Sequence, residues 1–403
     1  MTEYDVVVVG ARVAGASTAM LLARAGLRVA LVERAAYGSD TPSTHALMRA
    51  GVLQLSRWGL LDEVVTAGTP PVRSTLFHYR GGPSTRVSIR RSAGVDALYA
   101  PRRTVLDRLL LDAAVEAGAE LFASTTVTDL VHDNGRVAGV RLVSRQGLNR
   151  TLRARITIGA DGIGSVVAAG ARADVVRRGE AASAVLYRYL ADFPAEGYEW
   201  AYGDAAAAGV IPTNDGETCV FVSTTAARMR EQRRLGTHQA FAALLDRAAP
   251  AFTDRIAAAR PVSRLHGWAA HPGFVRRSGG PGWALVGDAG YFKDPITTHG
   301  ITDALRDAEL LADEAVGVLA GAVPEAVALT RYQATRDRLS RRLMDATEAV
   351  ATYEWGRDEL DSLMRQVSSA MSDEVEHLQR LPERRVAPGL PRPVPMVTAA
   401  TPD

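Results

Sequence analysis

Apolar runs and short polar breaks alternate along the first forty residues in the rhythm of a strand, a helix and a second strand. Val6 to Val9 is an unbroken apolar run of strand length, the pattern of a parallel strand buried on both faces. Ala14 to Ala25 has helical spacing and stops at Gly26, and Leu27 to Val32 reads as the next strand. A helical pattern from Val52 to Val64 follows. Strand character then runs from Ser74 to Ile89, interrupted by the turn signal Gly81-Gly82-Pro83. Arg103 to Ala117 puts Leu106, Leu109, Leu110 and Ala113 on one helical face, and Val127 to Leu142 reads as strands broken at Asp133-Asn134-Gly135.

From about Ala181 to Thr225 the pattern changes to short alternating strands with aromatic residues, covered by a helix from Thr237 to Ala249. This segment is expected to be a sheet domain inserted into the unit that the first strand, helix and second strand open. Trp283 to Val286 returns to the first sheet. A long helix is predicted from Gly300 to Leu319, with amphipathic helices from Pro324 to about Arg380 and a Pro-rich tail from residue 381.

Composition narrows the chemistry. The chain has 403 residues, 47% hydrophobic and 23% charged, with a formal charge of +2, so it has a sizeable core and no basic excess that would suggest nucleic acid. Of 47 basic residues only Lys293 is a lysine, which removes Schiff-base and P-loop chemistry elsewhere. Cys219, the sole cysteine, lies in an apolar run, so an internal disulfide and a cysteine zinc cluster are excluded, and no metal site is expected. No run approaches the ~18 apolar residues of a membrane span, and a cytoplasmic protein, monomeric or homodimeric, is expected.

The chemistry-bearing motifs begin at the first turn. Gly10, Val13, Ala14 and Gly15 occupy a strand-to-helix junction where missing side chains let backbone amides approach a pyrophosphate, with the helix dipole adding attraction. Glu33, with Arg34 beside it, closes the second strand 23 residues after Gly10, where a carboxylate accepts from an adenosine ribose. Two further segments, Gly159-Ala160-Asp161-Gly162 and Val286-Gly287-Asp288-Ala289-Gly290, each follow a strand.

In order and spacing, these three segments resemble the glycine fingerprint, the Asp-Gly motif and the Gly-Asp motif of FAD-dependent monooxygenases related to p-hydroxybenzoate hydroxylase. The resemblance covers nearly the whole chain and is weakest in the inserted sheet and after about residue 320. It implies an α/β fold with a Rossmann-like FAD-binding domain (residues 1–72, 100–178 and 273–330) and a mainly antiparallel substrate sheet (73–99 and 179–272). C-terminal helices (331–380) and the tail (381–403) complete the division. By the same resemblance Asp288 binds the ribityl chain, Asp161 and Gly162 lie at the flavin and nicotinamide side, and Arg103 and Val127 lie beside FAD. The loop from Pro295 delivers the amides of Gly300 and Ile301 to the flavin. Arg12 stands where the family has glycine, so its side chain must turn away from the pyrophosphate or pair with it. Ala168 stands where the family has arginine, which leaves the docking of NADH or NADPH open.

Tyr187 with Tyr189, and Trp200 with Tyr202, are each two apart on a strand and so share a face that could stack on a planar substrate. Pro295 in the flavin loop, His45 and His299 are the candidates for orienting substrate or moving its proton. The resemblance implies hydroxylation of a small aromatic or polyketide-like molecule with NAD(P)H and O2, through a flavin C4a-hydroperoxide. Three alternatives stand beside it: a flavin-dependent reductase of isoprenoid double bonds, a halogenase, and a non-redox FAD-containing ligand-binding protein or cyclase. Substrate-dependent oxygen uptake separates the first of these from a monooxygenase.

Overall fold

The computed structural model describes residues 4–382. Its first sheet runs in the order Gly279–Gly280, Trp283–Leu285, Asn149–Gly159, Tyr4–Val9, Val29–Val32, Glu120–Phe122. Tyr4–Val9 is parallel to both of its neighbours. Its valine run splits by parity: Val6 and Val8 join a core with helices Val13–Arg24, Arg103–Glu116 and Gly300–Leu319, while Val7 and Val9 join another with the hairpin Thr125–Asp133/Arg136–Ser144. Both faces of the strand are therefore covered, which is why the run is apolar without alternation. In that hairpin Asn134 and Gly135 both take positive φ, at 48° and 77°, as a tight turn between twisted strands requires.

The second sheet is ordered Arg260–Pro261, Ser183–Ala191, Thr218–Thr225, Ala206–Pro212, Tyr198–Gly203, Ser74–Tyr79, Thr85–Ser88. All its named pairings are antiparallel except that of Ser74–Tyr79 with Tyr198–Gly203. One face packs under helix Thr237–Ala248 through Leu186, Val220, Val222 and Phe241. The other face carries Tyr187, Tyr189, Trp200, Tyr202 and Phe221 and meets the C-terminal helices through Val350, Leu360 and Leu363. Burying aromatic and aliphatic side chains of this size stabilises by about 1.5–3 kcal/mol each.

Two boundaries differ from the sequence pattern. The helix predicted over Val52–Val64 is two helices, Arg49–Arg57 and Leu61–Thr66, because Gly59 between them takes φ +76°. The second strand starts at Val29 and not at Leu27. The C-terminal region is two long helices, Glu325–Val350 and Arg357–Gln379. No helix among the described residues is long and apolar enough to cross a membrane. The tail from residue 383 onward lies outside the described residues.

Candidate functional site

The turn after Tyr4–Val9 is tight enough to exclude side chains. Gly10 takes φ +95°, and a methyl group there would lie 2.5 Å from the Ala160 carbonyl oxygen; one on Gly15 would lie 1.7 Å from that of Gly10. The first helix begins at Val13 without a side-chain cap, so its leading amides remain available to an anion. The Arg12 guanidinium turns away from this turn, donating to the Ser39 carbonyl at 2.6 Å and to Asp107 at 2.9 Å. Asp107 also accepts two bonds from Arg103, at 2.8 and 3.0 Å. Neither arginine side chain is thus free to grip a phosphate; what Arg12 offers there is backbone.

Glu33 accepts from the amides of Ala11 at 2.7 Å and Ala35 at 2.8 Å, which fixes the end of the second strand. Arg34 is exposed beside it. A shallow cleft opens here, lined by Ala11, Arg12, Glu33, Tyr37, Asp107 and Arg108. Val127 lies apart from the cleft, its side chain buried in the core beneath the sheet beside Val7 and Val9, so only its backbone could meet a ligand.

The two aspartate motifs do different work. Asp161 accepts from the Ser165 hydroxyl at 2.5 Å and the Val166 amide at 2.6 Å, tying down the start of the short helix Val166–Gly170. Its carboxylate is a turn-closing group here, and Gly162 beside it takes φ +78° with open space around it. Arg276, which no sequence motif singled out, donates to the Ile163 carbonyl at 3.0 Å and to that of Ala289 at 2.7 Å. It ties the second motif to the third. A methyl group on Gly287, at φ +58°, would lie 2.8 Å from Ala14, so the third motif packs directly on the first helix.

Asp288 follows Gly287 with no hydrogen-bond donor of its own among the described residues; burial pushes its carboxyl up to about 6, against the pull of Lys293 and Arg103. An acceptor left open beside a glycine-lined turn fits a ligand rich in hydroxyl donors, as the ribityl chain of FAD is. A hydroxyl donated to Asp288 favours the ionised form and so lowers its pKa in the complex. FAD affinity is therefore expected to be full above pH 6 and to fall, by up to about tenfold per unit, as pH drops below it. Asp288→Asn should flatten this profile in a fluorescence titration of apoprotein with FAD. Asp294, also pushed up to about 6 by burial, already accepts from the amides of Ser183 and Ile296, so an unchanged profile in Asp288→Asn would move the assignment to it.

Pro295 opens a single turn, Pro295–Thr297, and Thr298 follows in the left-handed region at φ +54°. The chain then enters the long helix at Gly300, which is exposed, with Ile301 partly so; their amides lead a helix that has no side-chain cap. His299 is not placed to orient a substrate, as the sequence pattern had suggested. It is 1% exposed and points its Nε2 at Glu374 of the C-terminal helix, 2.6 Å away. Beside it lie Lys293, Asp303, Arg306 and Asp307, a buried ionic group that no sequence motif announced. The available signal was Asp303, Arg306 and Asp307, charged residues at helical spacing inside an otherwise apolar helix face.

On the sheet side, His45 sits at φ +47° with its ring stacked on Tyr189, and Nε2 lies 3.1 Å from the Tyr189 hydroxyl. Burial, with Arg102 and Arg103 nearby, pushes its pKa down to about 3, so it is a neutral hydrogen-bond partner near pH 7 and not a proton carrier. The Arg102 guanidinium lies 3.6 Å from the centre of the Tyr189 ring, and Tyr187 stacks on His266 at 5.0 Å. Trp200 and Tyr202 are packed more closely than the stacking role needs. Trp200 is wedged against Tyr198 and Phe221, and Tyr202 against Trp355 and Met364, so these two rings are core in this structure.

A family model described as the FAD binding domain matches residues 3–347, which include all three motifs. The chain belongs to this FAD-binding family. Among curated relatives, digeranylgeranylglycerophospholipid reductase of Methanosarcina mazei is 30% identical over 325 residues, 78% of this chain and 75% of its own. The reductase of that name from Methanocella arvoryzae is 26% identical over 354 residues, 85% of each chain. Reductase 1 of Methanopyrus kandleri is 28% identical over 402 residues, 94% of this chain and 96% of its own.

Among solved structures, Pseudomonas aeruginosa PqsL in complex with 2-aminobenzoylacetate superposes with a TM-score of 0.77 at 26% identity, over 90% of this chain and 99% of that one. The flavin-dependent brominase Bmp2 reaches 0.77 at 19% identity, over 94% and 99%, a likeness of fold alone. This FAD-binding protein is thus a flavin-dependent oxidoreductase. The expected hydroxylation of an aromatic molecule is overturned by the curated relatives, which are named as reductases across most of this chain's length. The three motifs lie within the stretch matched by the FAD binding domain, so they report the cofactor and not the fate of its electrons.

Proposed function

We propose that this protein is an FAD-dependent reductase that adds hydrogen across carbon–carbon double bonds of a polyprenyl-type substrate, with NADH or NADPH as the source of electrons. The observation that carries this reading is the run of digeranylgeranylglycerophospholipid reductases among its relatives, at 25–30% identity. FAD would be held by the amides of Gly10 through Gly15, by Glu33 and Asp288, and by the helix start at Gly300 and Ile301. When bound, the flavin supplies the hydride for a substrate carbon.

The protein's part is to position, dry and protonate. In the aromatic sheet face the Tyr187 and Tyr189 rings, apart from the Trp200 and Tyr202 core, would exclude water from a long hydrocarbon chain. Tyr187, pushed up to about 12 by burial, and Tyr189, pushed further, keep their phenolic protons at neutral pH, so they are the O–H donors this face presents.

The test is a single-turnover reaction. FAD-loaded protein, reduced anaerobically, is mixed with a geranylgeranyl lipid. The flavin is expected to reoxidise without O2 as the product gains the mass of two hydrogens per flavin. Reoxidation that requires O2, with an oxygen-containing product, would sink the reading.

A further inference from the structure

Tyr187 and Tyr189 stand edge to face on the sheet, ring centres 6.0 Å apart, but their hydroxyls are held differently. The Tyr189 oxygen lies 3.1 Å from His45 Nε2 and 3.5 Å from the Ser43 carbonyl oxygen. A bare Nε2 takes the Tyr189 proton; an Nε2 that carries hydrogen donates instead, and the phenol proton turns to the Ser43 carbonyl. Either way the Tyr189 proton is engaged. Tyr187 accepts from the Ser43 amide at 3.2 Å, and its own proton meets no acceptor among the described residues. This phenol is 4% exposed, and a buried donor left unpaired is costly, so its O–H suits an acceptor from outside the chain.

Packing joins the two rings to the flavin side. They share a core with Ala46 and with Ile296, which belongs to the turn leading into Gly300. Two residues beyond Ala46, the Met48 amide donates to the Thr302 hydroxyl at 3.2 Å, in the first turn of the same helix. We propose that Tyr187, and not Tyr189, donates the proton that completes reduction of the substrate double bond. As hydride from the reduced cofactor reaches one carbon, the electron pair of the double bond forms a C–H bond at the other with the Tyr187 proton. The O–H pair stays on the phenol oxygen. The Ser43 amide already points at that oxygen, its hydrogen bond strengthens as the charge develops, and water then returns the proton. Burial raises both phenols, but the same amide pulls Tyr187 back, to about 12. The proposal deepens the reductase reading and rests on it for the nature of the substrate.

The first test needs neither lipid nor reduction. In near-infrared-excited Raman difference spectra of the FAD-loaded full chain, the two intensities of the tyrosine doublet separate a phenol that donates from one that only accepts. Wild type minus Tyr189→Phe should give a donor, and wild type minus Tyr187→Phe an acceptor only. A donating Tyr187 or an acceptor-only Tyr189 overturns the proposal, and the Tyr189 spectrum decides alone if Tyr187→Phe does not fold.

The oxidised holoprotein is then titrated with a geranylgeranyl lipid whose double bonds are replaced by epoxides, which offer an oxygen acceptor, and with the fully saturated lipid. Tyr187→Phe should bind the epoxide about fivefold more weakly, the worth of one neutral hydrogen bond, and the saturated lipid as wild type does. An equal loss for both lipids marks a structural tyrosine, and an equal or larger epoxide loss in Tyr189→Phe marks the wrong phenol; either result overturns the proposal. If neither lipid binds while the Raman assignments hold, only the polyprenyl reading falls.

Discussion

Gly15→Val is expected to yield a folded but nearly colourless protein. The hydrogen facing the turn stands where a methyl carbon would come within 1.7 Å of the Gly10 carbonyl oxygen, a backbone atom with no rotamer to yield. Gly10 is itself packed close to the Ala160 carbonyl, which a carbon added to Gly10 would meet at 2.5 Å, so its backbone has little room to retreat. A larger residue must therefore push the helix start away from the strand and spoil the amide cradle. Once those amides no longer reach the pyrophosphate, retained flavin should drop below about a tenth of the wild-type content. Visible absorbance against protein concentration reads the effect, with circular dichroism as the control for folding. Undiminished flavin in a folded variant would mean that the cofactor is held elsewhere.

The second large effect concerns stability. Arg306 is 0% exposed and bonds Asp303, Asp307, Glu374 and the Ser340 hydroxyl. Arg306→Met fills similar space but leaves three buried carboxylates with Lys293 and His299 as their remaining partners in the cluster. Breaking a buried ion pair from one side typically costs about 3–5 kcal/mol, because the abandoned charge stays out of water. Denaturant unfolding should show a loss of that order. A loss under about 1 kcal/mol would show that the carboxylates escape the penalty by taking up protons.

How far the sequence could be read depended on whether a contact is local. Gly10, Gly15 and Glu33 lie within one strand-helix-strand unit, so spacing alone brought them together, and Ala11 now joins the turn to Glu33 by a 2.7 Å bond. The Gly287-Asp288 pair after a buried strand marked a tight turn, and the structure packs that turn on Ala14. Asp161 looked the same, yet its carboxylate closes a short helix through Ser165 and Val166. Nothing in the local pattern separates an aspartate facing a ligand from one facing its own backbone. The same limit applies to Trp200 and Tyr202: alternation put them on one face, but residues more than a hundred positions away decided that Trp355 and Met364 cover Tyr202.

By itself, then, the sequence determined the nucleotide-binding unit, the inserted sheet, the long helix at Gly300 and the absence of lysine and cysteine chemistry outside Lys293 and Cys219. These follow from periodicity, turn chemistry and composition, which act over a few residues. Tertiary structure alone decided that Glu374 reaches His299, that Asp107 holds Arg12 and Arg103, and that Ser74–Tyr79 lies parallel to Tyr198–Gly203. Each joins groups whose meeting is paid for by burial of whole faces, and the free energy of that burial belongs to no short stretch of chain.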